Sequence, residues 1–191
     1  MRLRLFLVLT LAATPALAQA AQSPIFEMFK RVCLDTRGAP DAVAQATANW
    51  TPVDVPPIFS PLGAPFDQAT VRSQAGVAGE DYLVLWGVRQ EPEIKRWTCN
   101  LAGTGDKSNR AAAMAWIGGL KPLPGSDQNL ASYLAIETPN GRRAPSRDET
   151  SDLKNASRLI GLTIATEGDV TTFSVSRFAA SIPPTLDDER R

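Results

Sequence analysis

The sequence contains no histidine, and this absence excludes the commonest kinds of enzyme active site. Ser-His-Asp and Cys-His nucleophile systems use an imidazole as their general base, so neither can be built from this chain. The usual zinc sites of exported proteins also rely on histidine ligands, so we expect no metal and no cofactor. Carboxylates, hydroxyls, lysines and two thiols remain as the groups available for chemistry.

A surplus of either charge is also absent. The 191 residues include 20 basic and 20 acidic side chains, so the formal net charge is zero. Proteins that bind nucleic acid carry a clustered basic surplus, so we expect no nucleic-acid partner. Apolar residues make up 43% of the chain and charged residues 21%, which is typical of a globular domain.

Long apolar runs are missing except for one short run near the start. Arg2 and Arg4 form a basic head, residues 5–13 are mainly apolar, and small residues that include Ala18 and Ala20 follow. This order is typical of a secretory signal peptide that is cut after one of those two alanines. The run is shorter than the roughly 20 residues that a membrane-spanning helix needs. We therefore expect a periplasmic or secreted protein with no membrane anchor after cleavage.

The order of the sequence patterns predicts the domain organisation. We expect a signal peptide over residues 1–20, a single α+β domain over residues 21–186, and a charged flexible tail over residues 187–191. Helical patterns come first and strand patterns follow, which favours the α+β class over alternating βαβ units. The predicted fold is an N-terminal helical hairpin packed on an antiparallel sheet built of hairpins.

Cys33 and Cys99 are the only cysteines and lie 66 positions apart. In an oxidising compartment, a minimal even number of cysteines favours one structural disulfide. Catalytic thiol pairs usually occupy a Cys-x-x-Cys loop, and this chain has none. We therefore predict a Cys33–Cys99 bridge, with inert free thiols and a catalytic thiol as the alternatives.

Apolar periodicity and breaker residues predict the individual elements. Ser23-Pro24 begins a first helix that ends at Gly38, and Pro40 begins a second helix. Later segments are predicted as strands at 82–89, 94–101, 130–137, 158–165 and 170–178, and as a helix at 106–117.

Two segments have no regular pattern. Residues 51–79 contain five prolines among apolar residues, which indicates an irregular loop laid over the core, with a mobile lid as the alternative. Residues 142–154 are rich in charge and are expected to be exposed and mobile.

Aromatic and arginine side chains on the hairpin over residues 82–101 form the candidate ligand surface. Trp86 and Trp97 fall on opposing strands and could stack across the hairpin, with Arg89 and Arg96 beside them. Exposed aromatic and basic groups of this kind suit a peptide, sugar or lipid ligand. The alternative is a tryptophan-rich core without a ligand.

Residues 26–50 resemble a group of small exported proteobacterial proteins of unknown function. The residues that carry the resemblance, together with the later Cys99, are Phe29, Cys33, Thr36-Arg37-Gly38, Pro40, Ala42, Ala44, Ala46 and Trp50. The resemblance implies a periplasmic α+β protein and implies no activity and no catalytic residues.

The sequence supports two main functional hypotheses, with a structural accessory of an envelope complex as a third. The first is a non-catalytic binding or interaction domain whose partner is a protein, peptide or small molecule of the cell envelope. The second is an atypical hydrolase or transferase that acts through carboxylates or a thiol. Acidic pairs such as Glu80-Asp81 and Asp148-Glu149 would supply its acid and base, although surface carboxylates of this kind are usually only solvated.

Overall fold

The computed structural model describes residues 24–54, 66–76, 81–104 and 109–181. The predicted signal peptide, the Ser23 helix start, the Asp106 helix start and the charged tail lie outside the described residues.

The first described segment is mainly helical. The elements are α1 (Pro24–Phe29), a π-helical turn (Lys30–Leu34) and α2 (Pro40–Ala46). Arg37 and Gly38 join them with positive φ angles of 56° and 65°, and the Gly38 N–H donates a 2.8 Å hydrogen bond to the Cys33 carbonyl. Glycine adopts this left-handed backbone without steric cost, whereas arginine does not. The predicted start of the second helix at Pro40 is confirmed.

Eight antiparallel strands in the described part of the chain form one sheet. They are β1 (Thr51–Pro52), β2 (Gln68–Ala75), β3 (Asp81–Gln90), β4 (Ile94–Thr104), β5 (Leu130–Thr138), β6 (Gly141–Arg143), β7 (Leu159–Glu167) and β8 (Val170–Ala180). Their spatial order is β1-β2-β3-β4-β8-β7-β5-β6. The remaining elements are α3 (Asn109–Ile117), α4 (Arg147–Ser151) and a 3₁₀ helix (Leu153–Arg158).

Helical side chains cover one face of this sheet and form the main core. Phe26 of α1 packs its ring against Phe173 of β8 in an edge-to-face contact, with the ring centroids 5.4 Å apart. Leu162 and Ile164 of β7 lie opposite Val175 and Phe173 of β8, as the alternation of apolar residues predicts. We call this side the helix-covered face.

The predicted disulfide is confirmed. Cys33 of the π-helical turn is bonded to Cys99 of β4, with the two Cα atoms 5.5 Å apart. Both residues are completely buried. The bond therefore ties the helical segment to a strand near the middle of the sheet, and it leaves no free cysteine among the described residues.

Two segments that looked irregular in sequence contain regular structure. Residues 68–75 of the proline-rich stretch form β2, because residues 66–76 contain no proline and can pair along β3. Residues 147–151 form α4, in which Ser146 and Glu149 complete a reciprocal capping box. Most of residues 142–154 are exposed, as predicted, although part of the segment is helical. Residues 55–65 lie outside the described part.

At position 87 of β3 only glycine fits, because Gln68 and Phe66 approach its backbone closely. A Cβ atom at this position would lie 2.5 Å from the Gln68 carbonyl oxygen and 2.7 Å from Phe66 Cδ1. Gly87→Ala should lower the free energy of unfolding by about 1.5 kcal/mol, because the β2 backbone must shift. Gly161→Ala is the matched control, since its Cβ would meet Ser176 at an ordinary 3.5 Å. Equal denaturant midpoints for the two variants would contradict the prediction.

Candidate functional site

The structure places the two tryptophans of the predicted ligand surface on the helix-covered face. Trp86 is only 5% exposed and lies opposite Cys99. The Arg72 guanidinium lies 5.6 Å from the centre of its ring and donates hydrogen bonds to the Ala44 and Thr47 carbonyls near the end of α2. Arg72 therefore links the end of α2 to the sheet and packs against the Trp86 ring.

Trp97 is partly buried on the same face but in a different position. It lies opposite Val88 on one side and opposite Arg177 of β8 on the other. Its indole N–H donates a 3.2 Å hydrogen bond to the Arg37 carbonyl. Trp86 and Trp97 are therefore diagonal neighbours across β3 and β4 rather than directly opposed residues.

The two arginines of the predicted surface lie on the opposite face of the sheet. Arg89 and Arg96 are partners across β3 and β4, and Arg89 forms an ion pair with Glu91 at 3.2 Å. The sheet therefore separates these arginines from the two tryptophans, since neighbouring residues of a strand point to opposite faces. The four predicted residues do not form one continuous surface.

A different set of charged residues meets on the helix-covered face beside Trp97. We call Arg37, Arg142, Arg177 and Glu137 the arginine cluster. Glu137 of β5 is the register partner of Arg142 of β6, so their side chains emerge on one face. Arg177 comes from β8, and Arg37 from the left-handed turn that follows the π-helical turn. Four separate segments thus supply the cluster.

Arg177 and Glu137 form the fixed centre of the arginine cluster. The two Nη atoms of Arg177 donate to the two carboxylate oxygens of Glu137 at 2.5 and 2.9 Å. The Arg177 side chain is only 5% exposed, whereas that of Glu137 is 34% exposed. Such a bidentate pair holds both planar groups in one orientation, because two parallel hydrogen bonds fix the relative geometry.

The guanidinium groups of Arg37 and Arg142 make fewer hydrogen bonds than that of Arg177. The Arg37 side chain is 68% exposed, and its Nη2 reaches Glu137 at only 3.5 Å. The Arg142 guanidinium carbon lies over the Trp116 ring, 3.3 Å from its centre, and Nη1 donates one hydrogen bond to the Trp116 carbonyl. Nε of both Arg142 and Arg177 is buried without a hydrogen-bond partner among the described residues.

The electrostatics of the arginine cluster are dominated by positive charge. The hydrogen bonds from Arg177 lower the pKa of the Glu137 carboxyl, and the nearby charges of Arg37 and Arg142 lower it further, although burial acts in the opposite direction. Burial also lowers the pKa of Arg142, but a guanidinium keeps its proton in proteins. Three cations and one anion leave a local charge of +2.

The acidic pair Asp148-Glu149 has a structural role in the N-terminal turn of α4. Glu149 accepts hydrogen bonds from Arg143 and from the Ser146 N–H. These contacts, that from Arg143 first, lower the pKa of Glu149 to about 2. A carboxylate with so low a pKa accepts a proton poorly near neutral pH. Catalytic bases have pKa values near the working pH, so Glu149 is a poor candidate for that role. Glu80 of the other predicted acidic pair lies outside the described residues.

An open cleft of about 840 Å³ lies on another part of the surface, between α1 and the ends of β2 and β3. Its charged lining residues are Glu27, Lys30, Arg31 and Asp35. These two acids and two bases balance, and Glu27 and Lys30 already form an ion pair at 2.9 Å. The described part of the cleft lining therefore carries no net charge that would favour a ligand of either sign.

The sequence did contain a signal for the arginine cluster. In β8, the residues facing the core are Phe173, Val175 and then Arg177, so the alternating pattern puts an arginine at a core position. A charge on an apolar face is rarely buried without a partner. The sequence could not identify that partner, because Glu137 lies 40 residues away on a strand that is not adjacent.

Comparison of the chain with protein-family models, with curated proteins and with solved structures finds no match. Within the described residues, no helix is long and apolar enough to cross a membrane. The same residues contain no group of three or more acidic, cysteine or histidine side chains placed to hold a metal ion.

Proposed function

We propose that this protein is an exported binding or interaction domain that recognises its ligand at the arginine cluster without catalysing a reaction. The observation that carries the proposal is the local charge of +2, held by Arg37, Arg142 and Arg177 around one carboxylate. Guanidinium groups are effective ligand-binding groups, because each presents several donors in a planar fork and stays charged.

The arrangement of the arginine cluster favours binding because its centre is rigid before a ligand arrives. Arg177 and Glu137 lie on strands of the same sheet and are joined by two hydrogen bonds. Arg142 rests against the Trp116 ring. A ligand that meets groups already in place loses less free energy to ordering them, so affinity improves without extra contact area.

The cellular setting is also part of the proposal. In it, residues 1–20 are a signal peptide, and the mature chain acts in the periplasm or outside the cell. The helical segments of residues 24–46 form a hairpin whose turn presents Arg37. The buried disulfide supports an oxidising compartment, since disulfides persist there and are rare in the reducing cytosol. The ligand is a protein, peptide or small molecule of the cell envelope.

A thermal-shift panel tests this function. The mature protein is heated with small carboxylates, inorganic phosphate, neutral oligosaccharides or cationic peptides, and the melting temperature is followed with ligand concentration. We expect a saturable rise with at least one class, because a ligand that binds only the folded state stabilises it. The rise should be lost in Arg142→Gln and kept in Arg147→Gln, which removes an exposed arginine of α4.

Three outcomes would count against the proposed function. One is that no class of compound raises the melting temperature in a saturable way. A second is that Arg142→Gln and Arg147→Gln respond alike, which would place the site elsewhere. The third is conversion of a bound compound into product, followed by NMR, which would favour the alternative of an atypical hydrolase or transferase.

A further inference from the structure

We infer that the arginine cluster selects a ligand with two carboxylate groups, which are bound by Arg37 and Arg142. This inference rests on the proposed function and adds the chemical class of the ligand. The shared chemistry is a pair of nearby carboxylates, whether these belong to a small dicarboxylate or to an acidic peptide.

Glu137 is already bound by Arg177. Arg177 binds both of its carboxylate oxygens and is almost completely buried, so this pair neutralises itself inside the protein. A ligand that displaced Glu137 would leave the buried Arg177 charge to be paired again, at a cost of free energy. The ligand therefore binds to the remaining guanidinium groups and leaves the central pair intact.

Arg37 is exposed, and in the described part of the chain its side chain is held only by a long contact. Among the described residues, the only hydrogen-bond partner of its side chain is Glu137, at 3.5 Å, and the side chain is 68% exposed, so most of its donors face solvent. Arg37 is also the one described residue other than glycine with a positive φ, at 56°. A strained backbone conformation often marks a functional position, because the surrounding structure must maintain it. The Trp97 indole helps to hold this turn through the Arg37 carbonyl.

The guanidinium of Arg142 is held in place by Trp116 but makes only one hydrogen bond among the described residues. The Trp116 ring supports one side of the guanidinium, and the Trp116 carbonyl accepts one hydrogen bond from Nη1. Nε has no acceptor among the described residues but is itself buried, so a ligand must approach the guanidinium from its Nη atoms. A carboxylate is planar and accepts two parallel hydrogen bonds, so it matches the geometry of this fork.

The charge of the arginine cluster favours two carboxylates over one phosphate. Two separate carboxylates bring one negative charge to each free guanidinium and together match the local charge of +2. A phosphate concentrates up to two charges on one centre, and close to Glu137 it would meet stronger repulsion. A single carboxylate would leave one arginine without an anion.

Calorimetric titration of the mature protein tests the inference. The probes are succinate, glutarate and citrate, which separate their carboxylates by different distances, with a triglutamate peptide as the acidic-peptide arm. Acetate, inorganic phosphate and uncharged succinamide are the comparison ligands. We expect saturable binding of at least one dicarboxylate-type probe, with a Kd about tenfold or more below that of acetate. Tighter binding of triglutamate than of all three small acids would identify the peptide as the source.

Variants locate the bound carboxylates. Arg37→Gly and Arg142→Gln should each raise the Kd about tenfold, because each removes a charge-assisted hydrogen-bond donor. Arg37→Gly suits the left-handed backbone at this position, so its loss of binding does not reflect unfolding. Arg147→Gln should leave the Kd within about twofold, and circular dichroism confirms that each variant is folded.

The outcomes separate this inference from the proposed function. Tighter binding of phosphate or acetate than of every dicarboxylate, or binding of a neutral sugar that Arg142→Gln abolishes, would overturn the dicarboxylate inference and leave the proposed function standing. Dicarboxylate binding that neither Arg37→Gly nor Arg142→Gln weakens would overturn the dicarboxylate inference and the proposed function together. Failure of every ligand in the titration would overturn the dicarboxylate inference, and failure of every compound in the thermal-shift panel as well would overturn both.

Discussion

Replacing Cys33 and Cys99 together with alanine should lower the free energy of unfolding by about 4 kcal/mol. The bridge closes a loop of 66 positions, and its removal restores conformational entropy to the unfolded chain. It is also the covalent link between the helical segment and the sheet, at a site with no solvent exposure. Denaturant unfolding of the oxidised wild-type protein and of the double variant measures the difference.

Two controls separate the bond from the packing of the side chains. The free energy of unfolding of wild-type protein in the presence of a reductant should match that of the double variant, because both lack the bridge. The two proteins differ only in the side chains at positions 33 and 99. Thiol titration of the denatured, unreduced wild-type protein should find no free thiol. A loss of stability below about 1 kcal/mol, or two titratable thiols, would contradict the prediction.

Glu137→Gln should lower the free energy of unfolding by about 2 kcal/mol. The substitution removes the anion that neutralises the buried Arg177 side chain, and glutamine replaces two charge-assisted hydrogen bonds with weaker contacts. Removing one partner of a fully buried pair costs about 3–5 kcal/mol, and the partial exposure of Glu137 reduces this value. Denaturant unfolding at neutral pH measures the effect.

The stability difference between the wild-type protein and Glu137→Gln should also depend on pH. The pKa of Glu137 is lowered in the folded state, chiefly by Arg177, so the folded protein binds this proton more weakly than the unfolded chain does. The stabilisation is therefore fully present above the ordinary glutamate pKa. It disappears as the pH falls through the lowered pKa of the folded state. The two unfolding curves should converge in acid and separate again as the pH rises.

A double variant provides the control for this pair. Arg177→Met combined with Glu137→Leu removes both charges and fills similar volumes, so it should recover most of the stability that Glu137→Gln loses. It should also lack the acid-dependent convergence. A double variant less stable than Glu137→Gln would show that the pair contributes more than mutual neutralisation, and it would contradict the assigned role.

Local sequence patterns were sufficient for much of the fold. The β3–β4 and β7–β8 hairpins and the strand β5 lie where the alternation of apolar residues and the breaker residues predict them. The strand β2 was missed, because its pattern of exposure is mixed and prolines precede it. Its pairing along β3, which no local pattern expresses, is what makes it a strand.

The candidate site was also only partly predicted from the sequence. The sequence suggested an aromatic and basic surface on the 82–101 hairpin, but the register places Trp86 in the core and Arg89 on the opposite face. Only Trp97 of the four predicted residues adjoins the arginine cluster, as the register partner of Arg177. The cluster was missed because its members are distant in sequence.

The amino-acid sequence alone determined the features that depend on residue type and near neighbours. These are the absence of imidazole chemistry, the two cysteines available for one bridge, and the helices and hairpins with strong periodicity. The tertiary structure decided which charges meet, because the strand order β4-β8-β7-β5-β6 brings Arg177, Glu137 and Arg142 together from three strands, and the helical segment adds Arg37. Coulomb energy depends on distance in space, and the fold sets that distance for residues far apart along the chain.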